Sequence, residues 1–552
     1  MKKSILILAL LVFPAVTWLI QPGYFPIHDD LQTVRQLELD KCFSDHQIPC
    51  RWVLDLGYGF GYPLFNYYPQ LPYLIGQPFR WLGFAYVDVV KIVGVLGFAF
   101  CAFNMYLLGR EFWGRNGGLL SSLVYTYAPY HSVDFYVRGA MNEFWAMAFF
   151  PAIFYTSYKL IGETNVKITK KWILLLALSV AGLMLSHNLM LLIFAPVLIM
   201  WCLFWLWQFR TIKPFNNLAI SALWSFGLAA FFTLPVIFEA KFAHVETLTI
   251  GYFNFLAHFL DLNQIFFRIN WDYGSSIYGS GDTMSFALGY LQWIIPLAVL
   301  CVMFFSSKLK NFKLLILLCV AIVLASLFFS HYKSTPIWLK LTPLQFLQFP
   351  WRFLTLSVFS ASLVAGAFAK IIDKKLLTIT LTLTLLLNAN YFRPRTWFPN
   401  MTDQTKFSGD SWRWQVTGSI FDYLPINAPL PPPDPAGGDL GITSGEGDYN
   451  RISKRTNFQE YQVDISTPTA VVELQTFYFP GWKVYLDGKE VSIEPKRDPL
   501  LGRMQIDVPA GNHNITALFT NTPIRTLGNT LSLISWFLVL IYFIPLREKP
   551  RA

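Results

Sequence analysis

The sequence predicts a polytopic α-helical membrane protein of about twelve transmembrane helices with a small extracytoplasmic β-sandwich-like domain. Three observations predict it. Of 552 residues, 54% are hydrophobic and only 14% charged, where a soluble domain carries about 25% charged residues. Apolar runs recur along the chain, most of about 20 residues, enough to cross a hydrocarbon core of about 30 Å as a helix. Basic residues gather in alternate connections between those runs. The formal charge of +10 would in a soluble chain suggest nucleic acid. Sorted by side of the membrane, it follows from topology, and no nucleic-acid partner is expected.

The runs lie at 4–20, 89–109, 117–130, 140–158, 172–186, 189–209, 217–238, 286–305, 313–330, 353–370, 375–390 and 527–546. Lys2 and Lys3 precede the first. The alternate connections hold Arg110 and Arg115; Lys159, Lys167, Lys170 and Lys171; Arg210 and Lys213; Lys308, Lys310 and Lys313; Lys370, Lys374 and Lys375; and Arg547, Lys549 and Arg551. Together with Lys2 and Lys3, these connections contain 19 of the 43 basic residues but 4 of the 33 acidic ones. Positive charge is retained on the cytoplasmic side, so both termini are expected there. The runs 117–130 and 172–186 are short, and ten to fourteen spans fit the same pattern. A basic start followed by an apolar stretch also suits a cleaved signal peptide, the alternative reading of the first run.

The remaining length divides into 1–390, a transmembrane domain with a long first external loop at 21–88; 391–526, a β-rich external domain; and 527–552, a last helix and basic tail. The loop 21–88 is rich in aromatics, Gly and Pro, a composition suited to short helices and turns at the membrane interface. Two further external loops, 239–285 and 331–352, carry Asn270-Trp271-Asp272-Tyr273-Gly274, Gly279-Ser280-Gly281-Asp282 and Gln348-Phe349-Pro350-Trp351-Arg352. In the 391–526 block, Leu430 to Gly438 reads as irregular because of its prolines and glycines. Beyond it apolar and polar residues alternate at Tyr461–Ile465, Val471–Leu474 and Trp482–Leu486. Asp487-Gly488 is a hairpin turn before Lys489–Ile493, and Pro509-Ala510-Gly511-Asn512 a further turn. Cys101, Cys202, Cys301 and Cys319 fall inside apolar runs, whereas Cys42 and Cys50 share one external loop and form a candidate disulfide.

Unusual polar residues concentrate on the external side. His28, Asp29 and Asp30 follow the first span, where adjacent acids are costly to desolvate unless a cation, a proton or a hydrogen bond compensates. Asp29 with Gln32 also fits a helix capping box, the plainer reading. Arg138-Gly139-Ala140-Met141-Asn142-Glu143 opens the fourth span. Arg138 there is a candidate phosphate ligand and Glu143 a candidate for a metal or polar substrate, against a local ion pair or a snorkelling Arg. His187, in Ser186-His187-Asn188, lies at an outer helix junction and either joins a site or bonds a helix end. Arg352 either binds phosphate or anchors at headgroups. A divalent cation, if one is used, would draw on Asp29, Asp30, Glu143 and His187.

No Gly-rich phosphate loop ending in Lys-Ser or Lys-Thr, Gly-x-Ser-x-Gly elbow or His-Glu-x-x-His helix occurs. An external site without ATP needs a donor already activated in the membrane. A polyprenyl-phosphate sugar meets that need, because phosphate leaves readily and the lipid tail can enter between helices.

Ile27 to Asp30, Tyr62 to Pro69, Arg138 to Glu143, Ser186 to Asn188 and Phe349 to Arg352 together resemble the bacterial membrane proteins labelled 6-pyruvoyl-tetrahydropterin synthase-related. Phe479 to Lys489 resembles the external domain of YfhO-like proteins. Both are similar to the GT-C class of lipid-phosphate-dependent glycosyltransferases. The resemblance implies a bacterial inner (cytoplasmic) membrane location, an extracytoplasmic active site and a catalytic Asp early in the first external loop. Asp29 and Asp30 both match it. Pterin chemistry is set aside, because a clustered His zinc site is lacking and the eight histidines are dispersed.

The leading expectation is an inverting glycosyltransferase that moves a sugar from a polyprenyl-phosphate donor to an extracytoplasmic acceptor glycan, polymer, lipid or protein. Asp29 or Asp30 would be the base, with His28, Arg138, Glu143, His187 and Arg352 binding phosphate or supporting. The alternatives are a transporter or flippase for a lipid-linked glycan, disfavoured by the lack of repeat symmetry, and a noncatalytic envelope scaffold.

Overall fold

A computed structural model describes residues 2–543 apart from 269, 270, 278, 280 and 419. The basic tail with Arg547, Lys549 and Arg551, and Asn270 and Ser280 of the two loop motifs, lie outside the described residues. The longer helices are α1 (Lys2–Val16), α2 (Gln32–Ser44), α3 (Tyr86–Thr126), α4 (Met141–Gly162), α5 (Val166–Ser186), α6 (Asn188–Gln208) and α7 (Phe215–Phe238). They continue with α8 (Tyr290–Val302), α9 (Lys313–Ser330), α10 (Leu354–Ala365), α11 (Lys374–Asn388) and α12 (Pro523–Phe543).

Among the described residues seven helical stretches are long and apolar enough to cross a membrane: Tyr86–Thr126, Val166–Ser186, Asn188–Gln208, Phe215–Phe238, Ser307–Ser330, Pro350–Lys370 and Pro523–Tyr542. The chain is a multi-pass membrane protein. The first stretch holds two of the expected runs. Its helical path breaks at Gly114 (φ 75°, ψ −176°), between Arg110 and Arg115. The arms then fold back on each other, since Ser122 Oγ donates to the Ala102 carbonyl at 2.7 Å. In a straight helix those residues would stand about 30 Å apart at 1.5 Å per residue.

By internal contacts the chain forms two units. The first comprises Met1–Gln32, Val87–Ser225 and Leu248–Thr402. Its centre is α10, every residue of which is buried, and some of its hydroxyls find partners inside. Ser357, for example, bonds Ser326 of α9 at 2.7 Å. Aromatic contacts fasten α4 to α6, with Phe150 stacked on Phe194 and Phe154 on Trp201, each at 4.2 Å. Pro151 in α4 has no N–H to give the Met147 carbonyl one turn back. Tyr125 Oη donates to that carbonyl at 2.8 Å instead.

The second unit comprises Thr33–Tyr86, Phe226–Thr247 and Asp403–Ala552. Here α12 lies against the end of α7, where Ser532 Oγ accepts from Phe231 N and donates to the Gly227 carbonyl. A Cβ on Gly528 would stand 2.7 Å from the Ala230 carbonyl oxygen. Cys42 and Cys50 are joined in a disulfide, and nearby Trp52 packs on Phe479, Trp482 and Phe519.

The same unit contains an antiparallel sheet of β1 (Leu440–Ser444), β2 (Gly447–Lys454), β3 (Phe458–Phe477), β4 (Trp482–Leu486), β5 (Lys489–Val491) and β6 (Arg503–Phe519). The order is β1-β3-β6-β4-β5, with β2 also on β3. The expected sandwich is thus one hydrogen-bonded sheet, because β3 and β6 run its full length and every other strand pairs with them or with β4. The hairpin at Asp487-Gly488 forms, with both residues at positive φ (50° and 81°), as a two-residue turn between twisted strands requires. The expected turn at Pro509–Asn512 does not. β6 continues through it with Pro509 paired to Thr469, and the register shift between Ile465 and Thr469 places the extra residues, 466–468, on β3.

Candidate functional site

The site is built in the first unit around a π-helical turn, Val133–Arg138, ended by Gly139 at φ 69°. A helix end leaves carbonyls without partners. The segment after α1 supplies them: His28 N donates to the Val137 carbonyl and Asp29 N to that of Arg138, both at 2.9 Å. Gln32 Nε2 donates to the Gly139 carbonyl at 2.7 Å. Only glycine permits this approach at 139, where a Cβ would stand 2.5 Å from Ile27 Cδ1. The capping box expected of Asp29 and Gln32 is not made. The Asp29 amide is spent on Arg138, and the Gln32 side chain returns to the Asp29 carboxylate at 3.2 Å.

Behind this contact lies a cluster of buried charge. Arg138 Nη1 pairs with Asp134 one turn back, and its Nη2 donates to Glu143 Oε2 at 2.9 Å. Arg352 Nε donates to the same oxygen at 3.0 Å. Tyr130 Oη donates to Glu143 Oε1 at 2.7 Å. The Arg138 guanidinium also lies 4.4 Å above the Trp351 ring, whose Nε1 donates to Ser276 Oγ at 3.1 Å. His258 Nδ1 lies 2.9 Å from that oxygen. Arg352 Nη1 donates to the Leu347 carbonyl at 2.6 Å and to Gln348 Oε1 at 3.2 Å. Two acids and two guanidiniums therefore balance, as burial of charge demands.

This geometry corrects two expectations. Glu143 does not face a metal or polar substrate; it is 1% exposed and closed in by Arg138, Arg352 and Tyr130. Arg352 is not a headgroup anchor, being buried beside the same carboxylate. His187, half-buried between α5 and α6, accepts from Met190 N at 3.4 Å. Burial first and then the nearby Arg352 charge hold its imidazole well below the ordinary value. Burial likewise lowers His28, opposed by its hydrogen bond to the Tyr273 carbonyl. The charges of Asp30 and Asp29 add to burial in pushing the Tyr24 phenol up. Among the described residues no three His, Cys, Asp or Glu converge to hold a metal ion. Since Glu143 is already satisfied by cations of the chain, the expected metal set does not fit, and no step is derived through it.

The structure thus gathers Arg138, Glu143 and Arg352, brings His187 within electrostatic reach, and ties His28 and Asp29 to the cluster through the backbone. Asp134 and Tyr130 escaped the sequence reading. The spacing of Asp134 and Arg138, four apart, was the available signal.

No family model and no curated protein sequence matches the chain; the two family labels rest on the motifs alone. Among solved structures it is similar to the arabinofuranosyltransferase AftD from Mycobacteria, at 12% identity and a TM-score of 0.47, over 72% of this chain and 27% of that one. It is also similar to the oligosaccharyltransferase AglB from Archaeoglobus fulgidus, solved with an inhibitory peptide and a dolichol-phosphate, at 13% identity and a TM-score of 0.45. That match covers 78% of this chain and 61% of the other. The chain spans less than two thirds of the length of each.

Proposed function

We propose that the protein is a GT-C-type inverting glycosyltransferase taking sugar from a polyprenyl-phosphate donor and passing it to an extracytoplasmic acceptor. The observation that carries this reading is the pinning of Asp29, and with it Asp30, against the end of the Arg138 turn. A general base needs a fixed position before it needs a tuned pKa. Two backbone bonds and the Gln32 amide supply it here. In the reaction, one of the two carboxylates takes the proton of an acceptor hydroxyl. The hydroxyl oxygen bonds to the anomeric carbon, and the bond from that carbon to the phosphate oxygen breaks with its electron pair leaving on the lipid phosphate.

Arg138 serves first as a positioning residue, through its carbonyl. The Arg138 Nη1 and Nη2 groups are held by Asp134 and Glu143, whereas Arg352, held through Nε and Nη1, keeps Nη2 for the departing phosphate. The proposed active site and the sheet lie on the extracytoplasmic face of a bacterial inner membrane, with both termini cytoplasmic.

The test is transfer by purified protein in liposomes supplied with radiolabelled polyprenyl-phosphate sugars. Asp29→Asn and Asp30→Asn keep the size of the side chain and remove its basicity. One of them should slow transfer about 10² to 10⁴-fold, the range for loss of a general base, while the protein remains folded. Near wild-type transfer by both variants rejects the reading.

A further inference from the structure

The second unit contains a charge cluster that the proposed reaction does not use. Glu239, at the end of α7 and 2% exposed, accepts from Arg525 Nε at 2.8 Å and from Asn66 Nδ2 at 2.9 Å through Oε2. Thr522 Oγ1 donates to its Oε1. Arg51 stands behind Asn66, donating from Nη1 to Asn66 Oδ1 at 3.3 Å and from Nη2 to Asn529 Oδ1 at 2.7 Å. Its Nη2 also donates to the Phe231 carbonyl at 2.9 Å. That carbonyl is open because Pro235, one turn on, has no N–H.

The count does not close. Arg51 and Arg525, 2% and 0% exposed, carry two positive charges, and Glu239 is the one carboxylate bonded to either among the described residues. Two of their donors, Arg51 Nε and Arg525 Nη2, are buried without a hydrogen-bond partner among the described residues. A buried charged donor without an acceptor is among the costlier defects a fold can carry. An anion would cure both shortfalls together.

Position suggests its chemistry. The cluster lies where α7 ends and α12 begins, and strongly exposed apolar residues adjoin it on both helices: Ile237 and Phe238 just before Glu239, Leu527 two residues after Arg525. On a membrane protein such a rim faces lipid at headgroup depth. Guanidinium forks match phosphate oxygens.

We propose that Arg51 and Arg525 bind the phosphate group of an anionic lipid headgroup or a free phosphate, one negative charge that completes the Glu239 cluster. Asn529→Asp tests it, because that change places a carboxylate on Arg51 from within. Full-length protein stripped of lipid in neutral detergent is heated with inorganic phosphate, with phosphatidylglycerol, with phosphatidylcholine, or with chloride at matched ionic strength. Wild type should gain thermal stability from phosphate or phosphatidylglycerol beyond chloride and phosphatidylcholine. Asn529→Asp should be more stable than wild type in the stripped state and lose that gain. A gain from phosphatidylglycerol alone assigns a lipid; one from phosphate alone, a free ion; one from both, the phosphate group itself. Wild type indifferent to both, a rise equalled by chloride or phosphatidylcholine, or a gain retained by Asn529→Asp overturns the proposal. Failure of Asn529→Asp to fold also counts against it, since added acid is predicted to stabilise.

Discussion

Glu143 and Glu239 are both buried glutamates held by arginines, yet they solve different problems. Around Glu143 the charges cancel, with Asp134 and Glu143 set against Arg138 and Arg352. Around Glu239 there are two arginines and one acid, which bonds Arg525 directly and is linked to Arg51 through Asn66. The first cluster balances in charge, with no donor of its arginines left buried and unbonded among the described residues, and acts as a brace, and what it braces is the segment bearing Asp29. The second is open by one charge. A buried glutamate between arginines is therefore no sign of function by itself; the sum of charge around it and the donors left over separate a brace from a receptor.

Removing the two glutamates should have the largest effect and rank the clusters. Glu143→Leu leaves Asp134 beside Arg138 and should cost about 3–5 kcal/mol, the usual penalty for breaking a buried pair. Glu239→Leu takes the carboxylate from Arg525, in a cluster where Arg51 has none bonded already, and should cost more, both read from thermal unfolding in detergent. The reverse order would break the comparison.

The two glycines beside the clusters come next. Gly139 has φ 69° and Gly481 φ 115°, and a Cβ on Gly481 would stand 2.7 Å from Arg525 Nη1. Alanine at either should cost about 1–3 kcal/mol as backbone strain. Only Gly139→Ala should also depress sugar transfer, because only Gly139 seats the Asp29 segment; equal losses of transfer from both would show that the brace has no special tie to the site.

A smaller contrast lies in the tyrosines. Tyr130 donates to the Glu143 carboxylate, while Tyr67 donates to the Glu239 main-chain carbonyl at 2.7 Å. Tyr130→Phe should cost about 1.5–3 kcal/mol and Tyr67→Phe about 0.5–1.5 kcal/mol, the ranges for charged and neutral acceptors.

The smallest effect is expected at an exposed pair in the sheet. The hydrogen bond between His513 and Asp487 raises the His and lowers the Asp. The His contribution is complete below the ordinary value near 6.5 and fades as pH rises through the raised value. The Asp contribution is complete above about 3.9 and fades as pH falls through the lowered one. NMR should place the His513 midpoint above 6.5, and Asp487→Asn should return it there.

The difference between the clusters also explains what the sequence could disclose. Arg138 and Glu143 are five residues apart and were read together; Glu239 and Arg525 were not singled out at all. No spacing connects Arg51, Asn66, Glu239 and Arg525, which meet only through tertiary packing. Hydrophobic length located the seven long apolar stretches found among the described residues but not α2, and the turn at Gly114 falls between the basic residues that marked a connection. Pro509 misled because proline and glycine signal a turn locally, whereas the long pairing of β3 with β6 runs through both, with the bulge opposite them on β3. Asp134 was overlooked because a carboxylate one turn before an arginine is common on any helix.

The order of synthesis gives the Arg51 contacts a further meaning. Arg138 can find Asp134 and Glu143 almost as soon as the ribosome has made them. Arg51 must wait for Phe231 and then for Asn529, and Glu239 for Arg525. Throughout that interval the nascent chain holds a cation and a carboxylate without their eventual mates, close to apolar segments being handed to the membrane. Completion of the second unit accordingly waits for the synthesis of α12, and the stretch between Arg51 and Asn529 is the length of chain that must be made before the cluster can close.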